Sequence, residues 1–196
     1  MNLLEAKNVL RNSGYILLKE AYYNLSKDAS RTVELDGMQC YVYTHGYVSE
    51  VCHGVKEHDF NSMKEMAKFM AQQIKSDCFV VPAPQHTGKA EYTLEICKLI
   101  QQYSKYKVSI LDIMGCTPRD TLYNIKKAWQ EQTGQRQFND MKFKSGMYLL
   151  NEIDDLEQEV YFVDNVISTG ATYEEAKDLI PSIKPLIFAV SRRYIE

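Results

Sequence analysis

Apolar residues recur at helical spacing through "FNSMKEMAKFMAQQIK", at Phe60, Met63, Met66, Ala67, Met70 and Ile74, which predicts an amphipathic helix. Beyond it, short wholly apolar runs alternate with further helical patterns. "DCFVVPAP", "KVSILDIM", "EVYFVDN" and "PLIFAV" are predicted as buried strands; "AEYTLEICKLIQQY" and "TYEEAKDLI" are predicted as helices. Strands that are apolar throughout and separated by helices indicate a parallel sheet covered on both faces, joined by right-handed crossovers. The fold class expected is α/β, a twisted parallel sheet flanked by helices, with its core over residues 59–196.

Two regions break the alternation. Residues 1–58 read as a separate small N-terminal cap of mixed structure. In it, residues 2–12 form an amphipathic pattern (Leu3, Leu4, Val9, Leu10) stopped at Asn12–Gly14. "YILLKEAYYNL" fits either strand or helix, "QCYVYTH" reads as a strand, and Gly46 turns the chain afterwards. Residues 114–158 form a long polar insertion between core strands, and its acidic end "NEIDDLEQE" reads as a solvated linker.

The 196 residues suit one domain with a proper core, and 45% hydrophobic with 25% charged residues is ordinary for a soluble globular protein. A net charge of −3 weighs against a sequence-independent nucleic-acid binder while leaving a local basic patch open. No apolar run of about 18 residues is present, so no membrane span is expected. Glu5, Lys7 and Arg11 interrupt the segment that a signal peptide would keep apolar. Five cysteines (Cys40, Cys52, Cys78, Cys97, Cys116) form no CxxC pair, which favours reduced thiols in a cytoplasmic protein. Cys52, His53 and His58 lie close in sequence but lack a zinc-finger spacing.

The informative chemistry sits at strand ends, because ligands of open parallel sheets bind beyond the C-terminal ends of the strands. Such ends are expected after Val81, Met114 and Val163. The last lies in "VYFVDNVISTGAT", Val160 to Thr172. Thr172 followed by Glu175 is a capping-box pattern, so a helix is expected to start at Thr172. Ser168, Thr169, Gly170 and Ala171 then form a tight loop before it, whose free N–H groups and hydroxyls suit an anion such as a phosphate monoester. Asp164, expected at the strand tip, can accept hydrogen bonds from two neighbouring hydroxyls. Together these features are shaped for a ribose 5-phosphate group.

"VYFVDNVISTGAT" resembles the phosphoribosyl-pyrophosphate (PRPP) binding motif of type I phosphoribosyltransferases. In that likeness Asp164 takes the first acidic place, Asn165 stands where a second acid is usual, and Ser168–Thr172 take the 5′-phosphate loop. The rest of the chain agrees in outline over residues 60–196, which implies the type I phosphoribosyltransferase fold with residues 1–58 as a variable hood. "FVVPAPQHTGKAEYTLEI" resembles the first core strand and pyrophosphate loop, which implies that Gln85, His86, Thr87, Gly88 and Lys89 wrap the leaving group. The insertion 114–158 falls where the family carries a flexible closing loop, offering Arg119, Lys126, Lys127, Arg136, Lys142 and Lys144. The layout is most similar to the competence-protein-F group of phosphoribosyltransferase-like proteins. That group's cysteine-rich zinc module has no counterpart here, so a competence role is not carried over.

The resemblance implies transfer of ribose 5-phosphate from PRPP to a nitrogen nucleophile of a small-molecule base, with release of pyrophosphate. The implied cofactor is Mg²⁺, held mainly by substrate, with no protein ligand assigned. Asp164 and Asn165 are the implied catalytic pair. Asn165 keeps an oxygen acceptor but no charge, and Ser168 cannot serve as the acid found there in purine-salvage members, so that type of salvage is disfavoured. A catalytically weak or inactive PRPP- or nucleotide-binding regulator is the alternative, and a hydrolase or transferase acting on another ribose phosphate is a third reading. Arg192 and Arg193 are candidates for a second anionic group. Tyr22, Tyr23, Tyr41, Tyr43 and Tyr47 are available to stack on a base, and their abundance leaves room for a homodimer.

Overall fold

The computed structural model describes residues 21–134, 144–151 and 157–195. The helix expected over 2–12 lies outside them. Residues 21–28 are helical. A hairpin follows, β1 (Thr32–Leu35) and β2 (Met38–Val42), turned at Asp36 and Gly37 with φ of 47° and 81°. Positive φ at both central residues is the turn that matches strand twist, and Asp-Gly supplies it. Then come α1 (Tyr47–Lys56), α2 (Phe60–Ala71), β3 (Cys78–Pro82), α3 (Tyr92–Tyr103), β4 (Val108–Ile110) and β5 (Met114–Cys116). The chain continues through α4 (Leu122–Thr133), β6 (Met147–Leu149), β7 (Glu159–Ile167), α5 (Ala171–Leu179), β8 (Lys184–Val190) and α6 (Arg192–Ile195).

Six strands form one sheet in the order β1-β2-β8-β7-β3-β4, every neighbouring pair parallel except the β1–β2 hairpin. The fold is thus α/β, with a mostly parallel sheet flanked by helices. The central strands β7 and β3 are apolar on both sides because both sides are covered. Val80, Tyr161, Val163 and Phe188 pack under α1, α2 and α3, on Met66, Met70 and Ile96. Val81, Phe162 and Ile187 pack on the other face, under Tyr173 and Ala176 of α5. Within residues 1–58, β2 joins the main sheet through Tyr41 and Val42 beside β8, and α1 covers one face.

Three expectations need correction. "KVSILDIM" is not one strand. Among the described residues β4 is an edge strand paired only with β3, and after the Leu111 N–H bonds the Val80 carbonyl at 2.9 Å the chain leaves the sheet. Met114 then starts a separate two-stranded ribbon with β6. "EVYFVDN" is too short, because β8 runs far enough to pair Asp164 with Ile187 and Ile167 with Val190. Asp164 therefore lies inside the strand, three positions before its last residue, and not at the tip. Finally, α5 starts at Ala171 with Gly170 as its N-cap and no side-chain cap.

Candidate functional site

Strand β7 delivers the chain into Ser168–Gly170, and Gly170 adopts φ 85° to turn it into α5. A side chain there would also run into the ring of Tyr194, and the Ser191 hydroxyl donates to the Ser168 carbonyl at 2.5 Å. The segment after β8 thus straps the loop from behind. The amides opening α5 have no carbonyl one turn earlier to accept them. Ala171 N–H makes only a long contact, 3.4 Å, with Thr169 Oγ1. Asp164, Val166 and the residues from Ile167 to Tyr173 enclose a nook of about 40 Å³ at this point.

The expected capping box does not form, because the rest of the fold recruits Glu175. Its carboxylate accepts from the N–H groups of Ser145, Gly146 and Met147 at 2.5, 2.9 and 3.1 Å, and from the Ser145 hydroxyl at 3.1 Å. Glu174 accepts from the Tyr194 hydroxyl at 3.0 Å. Glu174 and Glu175, the two acids of the first turns of α5, are thus both engaged by other parts of the chain.

The nook opens beside a cavity of about 380 Å³. Its walls include Asp164, Asn165, Ser168, Thr169, Ala171 and Thr172 from the motif, with Gln85 and His86 from the loop after β3. Lys56, His58, Glu91, Tyr92, Arg119 and Thr121 complete most of the lining. Asp164 is half-buried, and its Oδ1 accepts from the Asn165 N–H at 2.7 Å. Burial pushes its carboxyl up to about 6, against the smaller opposing effects of that hydrogen bond and of Lys56. The carboxylate is therefore short of polar partners, and ligand hydroxyls would supply them.

Asn165 is only 2% exposed, and its amide is already committed. Nδ2 donates to the Cys52 carbonyl at 3.3 Å, and Oδ1 accepts from the Tyr92 hydroxyl at 3.3 Å. The Cys52 thiol returns a long contact to the Asn165 carbonyl, 3.8 Å. Asn165 thereby ties β7 to α1 and to the start of α3, both of which wall the cavity. Tyr92 stays protonated, burial and the nearby Asp164 holding its hydroxyl well above the ordinary phenol range.

The loop expected to wrap pyrophosphate is a tight turn, with Gly88 N–H on the Gln85 carbonyl at 2.8 Å and Gln85 N–H on the Lys89 carbonyl at 2.9 Å. Gln85 caps α3, its amide oxygen receiving the Glu91 and Tyr92 N–H groups at 3.1 Å each. The Thr87 hydroxyl donates to Glu91 at 2.7 Å. Gly88, at φ 96°, backs onto the Cys116 carbonyl and Pro118, where a Cβ would sit 3.0 Å from each. Lys89 is exposed, and neither it nor Thr87 nor Gly88 lines the cavity. His86 is the residue of this loop with cavity exposure and no capping duty, and its carbonyl receives the Arg119 N–H at 2.9 Å.

Of the cations in the insertion, Arg119 reaches the cavity wall. Lys126 and Lys127 lie on α4, Lys144 is exposed, and Arg136 and Lys142 fall outside the described residues. Arg192 and Arg193 are exposed on α6 and away from the lining. The N-terminal tyrosines do not line it either. Tyr41 stacks on Phe69 at 4.6 Å and Tyr47 is buried against Phe188. Sequence reasoning did not bring Lys56, Glu91, Tyr92 or Thr121 to the site, and it set His58 beside Cys52 and His53 instead; for Lys56, His58, Glu91 and Tyr92 the signal was the crossovers that carry α1 and α3 to the C-terminal edge.

Among the described residues no group of three His, Cys, Asp or Glu is placed to hold a metal. Cys52 is buried, His53 stands within 3.4 Å of Tyr43, and His58 lies at the cavity, so those three separate. No helix among the described residues is long and apolar enough to cross a membrane. No protein-family model matches the chain and no curated protein matches it significantly, so the functional reading rests on the site's own residues.

Proposed function

We propose that the protein is a PRPP-dependent phosphoribosyltransferase of the type I fold, moving ribose 5-phosphate to a nitrogen of a small base with release of pyrophosphate. One observation carries the reading. A single cavity gathers an under-solvated carboxylate, Asp164, the amide-rich Ser168–Thr172 loop, and His86 with Arg119 on another wall. The 5′-phosphate occupies the loop, where α5 presents amides and the positive end of its dipole. Asp164 accepts from the ribose hydroxyls and fixes C1 toward the cavity. Arg119 and His86 meet the pyrophosphate, stabilising charge as it leaves.

The donor set fits Mg²⁺ held by ligand and water. Asp164 offers one carboxylate whose Oδ1 is already hydrogen-bonded, too few oxygens for an all-protein cage and enough for a bridged ion. Bound there with PRPP, the ion would neutralise pyrophosphate charge. Pyrophosphate release with PRPP, Mg²⁺ and a panel of bases tests the activity; none released with any base contradicts it.

A second reading has a specific support. Asn165 spends its amide on Cys52 and Tyr92, so the strand brings one carboxylate to the ribose where the family pattern has two. A PRPP- or nucleotide-binding regulator needs only the ground-state contacts, and calorimetric binding without turnover would favour it.

A further inference from the structure

We propose that His58, held by Glu95, is the proton-transfer group for the nitrogen acceptor; this rests on the transferase reading above. His58 closes α1. Its N–H bonds the Val55 carbonyl at 3.1 Å, Asp59 N–H bonds the Gly54 carbonyl at 2.8 Å, and its φ is 57°. That left-handed closing position is one glycine fills at lower conformational cost. What histidine adds is its ring, which lines the same cavity as Asp164.

The ring is also oriented. Nδ1 lies 3.0 Å from Glu95 Oε2 on α3, a partner that keeps the Nδ1 proton and leaves Nε2 as the basic nitrogen. Other candidate bases on the walls have duties. Glu91 receives Thr87 and Gln85, Tyr92 donates to Asn165, and Asp164 faces the ribose hydroxyls in the proposed complex. His86 sits on the turn assigned to pyrophosphate and is the competitor that the test must separate. In the step, the acceptor nitrogen bonds C1 while the C1–O bond breaks and its electron pair leaves on pyrophosphate. The acceptor's N–H proton passes to Nε2 of His58.

The test compares wild type with His58→Gly, Glu95→Gln and His86→Asn, reading PRPP affinity by calorimetry and pyrophosphate release with PRPP, Mg²⁺ and free bases. Glycine suits the backbone at 58 and opens space for imidazole. His58→Gly is expected to bind PRPP within about twofold of wild type, to lose roughly 100-fold or more in turnover, and to recover part of it with added imidazole. Glu95→Gln, a positioning change, is expected to lower kcat about tenfold with the KM for PRPP unchanged. Turnover of His58→Gly within twofold of wild type overturns the proposal alone, as does a loss that imidazole cannot restore when His86→Asn shows the rescuable one. A wild type that binds PRPP and turns over no base overturns the transferase reading and this proposal with it.

Discussion

Asn165 Nδ2 donates to the Cys52 carbonyl at 3.3 Å, so the residue beside Asp164 is a structural tie between β7 and α1. An aspartate there has no N–H to give and would set a carboxylate oxygen against a carbonyl oxygen in a buried place. Asn165→Asp is therefore expected to destabilise the fold by about 1–3 kcal/mol in urea titration, without raising turnover. A variant as stable as wild type and more active would show that the amide stands in for a lost catalytic acid.

Asp164 carries the opposite tension. Its carboxyl sits at about 6 against an ordinary 3.8, so between those values the native state holds more protons than the unfolded chain. Stability then falls as pH rises through that window, and the deficit persists above it. Asp164→Asn removes the titration and keeps an acceptor for the Asn165 N–H. It is expected to melt higher than wild type at pH 8 and equally at about pH 3, below the ordinary carboxyl value, while losing any stabilisation by PRPP. An equal melting point at pH 8 would deny that the carboxylate is held short of solvent.

Gly170 is fixed by two constraints that can be separated, the left-handed backbone and the Tyr194 ring packed where a Cβ would go. Gly170→Ala is expected to cost roughly 1–3 kcal/mol. Adding Tyr194→Ala should return the part due to overlap and leave the backbone part. If the double variant is no more stable than the sum of the two single changes allows, the strap does not bear on the loop.

Glu175 receives three backbone amides from Ser145 to Met147, which holds the start of β6 and the residues before it against α5. Glu175→Gln removes the charge and one acceptor. Hydrogen exchange at these amides is expected to quicken at least tenfold, with exchange in β3 and β7 unchanged. Unaltered exchange at Gly146 and Met147 would show that the contact is incidental.

Much of the scaffold was legible because buried parallel strands are apolar on both faces: "DCFVVPAP" and "PLIFAV" fall on β3 and β8. What local pattern could not convey was partnership. Asp164 and Asn165 look like the end of a strand because they are polar, yet β8 supplies pairing as far as Ile167. Thr172 and Glu175 have capping-box spacing, yet the amides of a segment thirty positions away compete for the same carboxylate and win. His58 was weighed beside Cys52 as a metal ligand when its neighbour in space is Glu95, on another helix. The motif residues themselves, Asp164 and Ser168–Thr172, do converge on one cavity, with Gly170 placed in the nook behind it.

Calorimetric titration of PRPP with Mg²⁺ into wild type and Asp164→Ala tests the central claim most directly. Saturable one-site binding to wild type, lost or weakened at least a hundredfold in Asp164→Ala, is the predicted result. No binding to wild type, or equal binding to both proteins, would contradict the assignment of Asp164 and the Ser168–Thr172 loop to a ribose 5-phosphate group.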